Sequence, residues 1–477
     1  MKRTMSSGCA LLTRWSGQVV VAGLILGLAL ARPAWSQNGS EEKAPWRVGL
    51  ARVVITPEKP LWMMGYGSQA RFRPSEGKLN DLHAKAMALE DSEGHRAVLI
   101  TLDLCIMGPA EAKAMFDRLV SETGLERRQL LVNLSHTHSG PITGDAPEYF
   151  DFPLPEQDRQ ATREYTAKVQ DSVCEVAKAA LADLKPARLS WGKGKCDFVR
   201  NRRLYDEQGR YRGMGPNPER YVDDTVPVLR VDAPDGSLRA LLFGCACHPV
   251  TLCDNNLKIS GDYAGFAQDD VEAKHAGVQA MFMQGCGADA NSHPRCGPNQ
   301  EENARKQGAS LATEVCRVAG GALQPVRGPL RVGYTEAKAP LQPVPSREEL
   351  KKISGAMTHT SRRMLAALER NQPLPTHHAQ PLAVWQFGSD LTLVAISGEV
   401  VSAYAKLVQQ ALGPDRLWVA GYSNEVDGYL ADATIVAEGG YEARGLFGDI
   451  GLYAADAQDA VVAAIRQLAS QAGRPQP

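Results

Sequence analysis

An excess of one charge is what this 477-residue chain lacks: 53 Lys and Arg stand against 54 Asp and Glu, and the pI is near 6.8. A protein that grips nucleic acid through a basic surface carries an excess that is missing here, so no nucleic-acid partner is expected. No apolar stretch reaches the roughly 20 residues of a membrane-spanning helix. No segment repeats with a period of roughly 20–50 residues, which argues against solenoids and propellers. At 44% hydrophobic and 22% charged residues, with 44 Gly and 29 Pro, the composition excludes a collagen, a coiled coil or a disordered tail.

The N-terminus carries the one notable apolar run. Lys2, Arg3 and Arg14 precede Val19 to Ala31, and Ala34-Trp35-Ser36 follows as a small-x-small cleavage pattern. Residues 1–36 therefore read as a secretory signal peptide, since about 13 apolar residues are too few to span a bilayer comfortably. Removing Lys2, Arg3, Arg14 and Arg32 leaves 49 basic against 54 acidic residues in the chain 37–477, which is expected to be periplasmic or extracellular. Cys9 lies ahead of the apolar run, so lipoprotein anchoring through it is not expected. Nine cysteines remain, an odd number, which leaves at least one thiol free or paired between chains if the others are oxidised.

The body reads as a single mixed α/β catalytic domain. Apolar runs at Ala97 to Leu104, Leu130 to Leu134, Val226 to Val231, Ala240 to Ala246, Leu391 to Ile396 and Leu417 to Tyr422 predict strands. Three-to-four spacing predicts helices at Ala110 to Thr123, Thr162 to Leu184, Asn303 to Ala319 and Val400 to Leu412. Pro340 to Pro375 breaks the rhythm: a capping box from Ser346 to Glu349 opens a charged helix between prolines. It reads as a surface helical excursion, with an interdomain linker as the competing reading.

The sharpest local pattern is Leu130-Leu-Val-Asn-Leu-Ser-His136-Thr-His138-Ser-Gly-Pro141. Strand alternation would put both imidazoles on one face, at the strand end where open α/β sheets hold ligands. Other predicted strands lead to His248-Pro249, to Gly398-Glu399 and to the loop Ser423 to Tyr429. Two histidines and a carboxylate form the nitrogen and oxygen set that catalytic zinc takes. Taken singly, His248 could just brace the turn before Pro249, and Glu399 could just cap a helix starting at Val400.

Further stretches complete an ordered set: Trp62-Met-Met-Gly-Tyr-Gly67, Asn201-Arg202, Asn217-Pro-Glu-Arg-Tyr221 with Asp224, Cys247-His248-Pro249, Gly421 to Tyr429, and Gly440-Tyr441-Glu442. In this order they resemble the catalytic domain of the neutral/alkaline non-lysosomal ceramidases, zinc amidohydrolases. The resemblance implies Zn2+ ligands at His136, His248, Glu399 and Tyr429. It implies that His138 holds and deprotonates the zinc-bound water, that Arg202 and Tyr441 face the scissile carbonyl oxygen, and that the backbone at Gly65 lines the cleft. The implied substrate is an N-acyl amide, ceramide or a related lipid. Arg202 sits in Arg200-Asn-Arg-Arg203, where the register could slip or the cluster could be solvated.

The residue types suit that chemistry, because amide hydrolysis needs an activated water, an oxyanion partner and a proton for the amine. Departures concern the substrate. Relatives commonly carry a C-terminal immunoglobulin-like domain, and with about 35 residues after Glu442 none is expected in this sequence. Ile142 to Asp145 and Cys286 differ from the usual pattern and are expected at the rim. The same site could cleave another ester or amide, or the scaffold could be a non-catalytic extracellular binding protein. A disulfide is expected between Cys286 and Cys296, or from one of them to the Cys247 region. Cys105, Cys174 and Cys316 are expected as buried thiols, and His377-His378 as a surface pair.

Overall fold

Alternation along the strands decides the layering. In Arg96–Leu102, Val98, Ile100 and Leu102 face one apolar cluster while Ala97 and Leu99 face another; in Leu391–Ile396, Val394 and Ile396 face out while Leu391, Leu393 and Ala395 face in. Strands buried on both faces in this way need a layer on each side. The computed structural model describes residues 45–67, 69–144, 154–352, 359–446 and 451–475, and the expected signal peptide 1–36 lies outside them.

Among the described residues, the larger sheet has nine strands. Its main path runs Gln279–Gln284, Leu238–Cys245, Thr225–Asp232, Lys185–Lys195, Trp46–Val54, His83–Asp91, Arg96–Leu102 and Leu130–Leu134, with Gln324–Val326 beside Lys185–Lys195. The outermost pair at each edge is parallel and the inner pairs are antiparallel. A four-stranded sheet orders Leu330–Pro340, His377–Phe387, Leu391–Ile396 and Leu417–Ala420. Trp46, Leu99, Leu242, Trp385 and Trp418 fill the space between the two sheets. Helices Pro109–Thr123, Glu156–Ala182, Asp262–Lys274 and Gln300–Ala319 cover the outer face of the larger sheet, and Ala403–Leu412 and Ala457–Gln471 cover that of the smaller. The fold is mixed α/β.

The two edges of the large sheet meet through one buried side chain. Asn133 Oδ1 accepts from the Gln284 N–H at 2.7 Å, and Asn133 Nδ2 reaches the carbonyls of Gly421 (2.8 Å) and Gln284 (3.3 Å) and the Ser423 hydroxyl (3.1 Å). Isolated bridges Asn133 to Ser423 and Gly285 to Ala420 reinforce the joint. Three strand ends thus open onto a common rim.

The six predicted strands and four predicted helices all occur, Leu130–Leu134 and Leu391–Ile396 with the expected bounds and the others with shifted ones. One boundary has a functional consequence: Glu399–Val400 is a short strand paired with Tyr429–Leu430, and the helix begins only at Ala403. Glu399 therefore caps no helix at Val400. The 340–375 segment joins two antiparallel neighbours of one sheet, with helices at Arg347–Lys352 and His359–Glu369. Its capping box is reciprocal, Ser346 N–H to Glu349 Oε2 and Glu349 N–H to Ser346 Oγ. Of the His377-His378 pair only His377 is exposed, since His378 is buried against Tyr453.

A disulfide joins Cys296 to Cys253, in the Cys247 region, as the second of the two expected pairings has it, and Cys286 is not the partner. Cys286 is fully buried in the apolar cluster under the smaller sheet, and Ile142 and Thr143 are buried too, so these three residues do not form the rim; Asp145 lies outside the described residues. Cys105 and Cys174 are buried thiols, while Cys316 is partly exposed.

Asn133→Leu is expected to strip partners from the Gln284 N–H and the Gly421 carbonyl inside the protein and to cost about 2–3 kcal/mol. Urea unfolding checks this through a lower midpoint at unchanged slope.

Candidate metal centre

His136 lies two residues past Leu130–Leu134, His248 three past Leu238–Cys245, and Glu399 three past Leu391–Ile396. The chain brings their side chains together: Glu399 Oε2 is 3.1 Å from His248 Nε2 and 3.3 Å from His136 Nε2, and all three residues are buried. Their possible ligand atoms lie within 4.8 Å of one another.

Each ring is oriented from behind. His136 Nδ1 donates to the Cys105 carbonyl at 2.7 Å and His248 Nδ1 to the Gly287 carbonyl at 2.8 Å. A carbonyl only accepts, so each Nδ1 carries a proton and each neutral ring turns an Nε2 lone pair towards the carboxylate. Lone pairs facing lone pairs in a dry site require a positive species among them, a proton or a cation. The donor set fits a metal such as zinc.

Without a metal, charges redistribute within the cluster. Burial opposes ionisation of Glu399, yet His136 and then His248 hold its carboxyl well below the ordinary range. Burial also lowers His136, but Cys105 and Glu399 carry it up to about 10. Burial, then the Arg202 charge, pushes His248 down to about 4.

His138 stands beside this trio, its Nε2 3.1 Å from His136 Nε2. Strand alternation does not explain the pairing, because the strand stops at Leu134 and His136 takes a left-handed φ of 64°. That conformation costs about 1–2 kcal/mol in an L-residue. The cost is offset by backbone bonds from Ser135 to Leu102 and from His136 to Leu104, which continue the neighbouring ladder through the turn. Burial, then the adjoining His136 and His248, keeps His138 far below its ordinary value.

Gly65 packs directly on His138. At its φ of 103° a Cβ would sit 2.3 Å from the His138 Cγ, so only glycine fits. Three neighbours went unassigned in the sequence reading: Tyr66, whose ring is edge-on to His138 at 5.0 Å; Tyr422, 4.6 Å from the His136 ring; and the Cys105 thiol, 3.6 Å from His136 Nδ1. Both tyrosines lie inside quoted motifs, the available signal. Nothing local distinguished Cys105 from a packing thiol.

The other flank is held by arginines. Arg202 is buried, so the cluster Arg200 to Arg203 is not a solvated patch. Its Nε donates to Glu442 Oε1 at 2.8 Å and its Nη2 to the Tyr429 hydroxyl at 3.3 Å, while its guanidinium lies 5.4 Å from the Tyr441 ring centre. Arg203 turns away to the other Glu442 oxygen, to Glu438 and to the Gly439 carbonyl. Tyr429 enters beside Glu399 as its partner in the two-residue ladder, and Tyr441 packs edge-on against Tyr429 at 5.5 Å. Burial and the Glu399 charge push the Tyr429 hydroxyl well above its ordinary range. Asp289 ties the flank down: its carboxylate accepts from Asn201 and from the Ser402 N–H and hydroxyl, and its carbonyl accepts from the Arg202 N–H.

Glu442 thus bridges two buried guanidiniums and is the carboxylate that pairs with Arg202, while Arg203 keeps Glu438 as a second partner. Glu442→Ala is expected to lower stability by about 3–5 kcal/mol, because it leaves Arg202 and Arg203 buried together. Chemical denaturation measures the loss.

The family model described as neutral/alkaline non-lysosomal ceramidase, N-terminal, matches residues 46–325. Neutral ceramidase A of Dictyostelium discoideum is 26% identical over 259 residues, which is 50% of this chain and 34% of that protein, so the match spans about a third of the relative's length. The crystal structure of neutral ceramidase from Pseudomonas aeruginosa superposes with a TM-score of 0.69 at 22% identity, covering 91% of this chain and 76% of that one. A ceramidase complexed with C2 gives the same TM-score at 21% identity. The superpositions show a shared fold, and with the family model matched over more than half of its length, the chain belongs to the neutral/alkaline non-lysosomal ceramidase family.

Proposed function

We propose that the chain is an exported zinc amidohydrolase that cleaves an N-acyl amide, ceramide or a related N-acyl lipid, to a fatty acid and an amine. In this reading residues 1–36 direct export and residues 37–477 form the catalytic domain, with 340–375 as a surface excursion. The observation that carries it is the meeting of His136 Nε2, His248 Nε2 and Glu399 Oε2, with both Nδ1 atoms committed to carbonyls. Family membership supports the reaction class. Among the described residues no helix is long and apolar enough to cross a membrane.

His136, His248, Glu399 and Tyr429 would hold the zinc, which when bound supplies a Lewis acid that polarises a carbonyl and acidifies water near neutral pH. His138, neutral because burial and two imidazoles disfavour its cation, takes the proton from the attacking water and returns it to the leaving nitrogen. The Gly65 backbone fixes the ring for both transfers. Arg202, anchored by Glu442, and Tyr441 present donors to the carbonyl oxygen as negative charge grows there. Water adds to the acyl carbon, the C–N bond breaks, and the products are a carboxylic acid and an amine.

Purified protein is expected to hold about one zinc per chain, and zinc at about 100 times its Kd should raise stability by about 2.7 kcal/mol, read as a higher Tm. His136→Ala and Glu399→Ala are expected to remove both the stoichiometry and the shift; zinc content unaffected by either substitution sinks the metal assignment. His138→Ala should keep the zinc and lower kcat on an N-acyl amide by about 10²–10⁴. Gly65→Ala should move kcat in the same direction, since its methyl lands on the His138 ring, and turnover assays on ceramide check both.

A further inference from the structure

A cavity of about 120 Å³ adjoins the site on the side of Arg202. It lies between the hairpin of Val199–Tyr205 and Tyr211–Asn217 and the segment 291–295. Arg200, Arg202 and Arg295 line it, and no acidic side chain does. Arg202 has Glu442 behind it. The other two guanidiniums have only neutral partners: Arg200 Nη1 donates to the carbonyls of Asp197 and Val199, and Arg295 Nε to that of Val250. Arg295 Nη2 reaches the Tyr66 hydroxyl at 3.1 Å and Cys253 Sγ at 3.2 Å.

Among the described residues, neither Arg200 nor Arg295 meets a carboxylate. Arg230 pairs with Asp232 and Arg239 with Asp183, whereas Arg71 is held by the carbonyls of Cys253 and Asp254; what sets Arg200 and Arg295 apart is that both line one cavity. Guanidinium groups facing one small cavity without a counter-charge make it positive, and their planar forks match a carboxylate. A hydrocarbon chain fits it poorly, because it would desolvate the guanidiniums and return no hydrogen bond.

We propose that this cavity receives a carboxylate on the amine half of the substrate, so that the favoured amide is an N-acyl amino acid type of lipid. Arg202 joins the two regions, touching Tyr429 on one side and lining the cavity on the other. The identity of the broken bond rests on the amidohydrolase reading; the binding of the anion does not.

The test compares N-lauroylglycine with N-lauroylethanolamine, which share an acyl chain and differ in the anion. Calorimetry on zinc-loaded His138→Ala protein measures binding without turnover. The glycine conjugate is expected to bind about tenfold more tightly, with a preference that shrinks as salt is added. In the background of Arg200→Gln with Arg295→Gln the preference should fall at least about fivefold, with circular dichroism verifying the fold. Equal binding of the two lipids, or an undiminished preference in the double variant, overturns the assignment. Wild-type turnover is followed in parallel. Cleavage of the ethanolamide with no anion preference in binding discards the cavity assignment and leaves the hydrolase reading intact. Anion-selective binding that the double variant loses, with neither lipid cleaved, upholds the cavity and counts against the hydrolase reading.

Discussion

A carboxylate with almost no exposure to water, flanked by two imidazole lone pairs, is the constraint around which this structure is arranged. Burying Glu399 costs several kcal/mol unless positive charge meets it. The chain sets His136 and His248 beside it, able to share a proton or a cation with it, and fixes both rings through carbonyls on different segments, Cys105 and Gly287. Those segments must be held rigidly, because a ring that rotates loses either its carbonyl or its carboxylate. The bonds of Ser135 and His136 to the neighbouring strand, and of His248 to Ala290, supply that rigidity.

The two sheets contribute unequally but jointly. His136, His138 and His248 follow strands of the larger sheet, whereas Glu399 and Tyr429 follow strands of the smaller. The matched family segment ends at residue 325, so Glu399, Tyr429 and Tyr441 come from chain beyond it. Beside the apolar layer between the sheets, polar side chains join the halves: Asn133 across the strand ends, Asp289 between the hairpin and Ser402, and Glu442 under the paired arginines. Apolar contacts alone would tolerate sliding between layers. Buried hydrogen bonds of this kind do not, because each misplacement leaves a group unpaired.

Much of the fold was legible in the sequence. Strands such as Leu130–Leu134 and Leu391–Ile396 are mostly apolar and are buried on both faces, a signal that survives without knowledge of their neighbours. The histidine pair was legible too, although for another reason than the one that operates. Alternation suggested one strand face, and the structure uses a left-handed turn at His136 that no periodicity encodes. Glu399, read as a metal ligand, could, taken singly, have been a helix cap, because Val400 begins an apolar, helix-like pattern. The ladder with Tyr429–Leu430, set 30 residues away, overrides that local preference. The disulfide was legible only as one of two pairings, since Cys253 and Cys296 stand 43 residues apart and the folded loops decide that Cys296 rather than Cys286 reaches the Cys247 region.

By itself the sequence determined the α/β class, the types of residue available for chemistry and the order of motifs that marks the family, because burial patterns and short motifs are local properties. The tertiary structure alone decided that Glu399 faces two imidazoles, that Arg202 rather than Arg200 or Arg203 reaches Tyr429, that Gly65 presses on His138, and that Arg200 and Arg295 are left without carboxylates around one cavity. These are relations between residues as much as hundreds of positions apart. Their geometry depends on how twisted sheets close on each other, a balance of packing and buried polar bonds that no window of sequence contains.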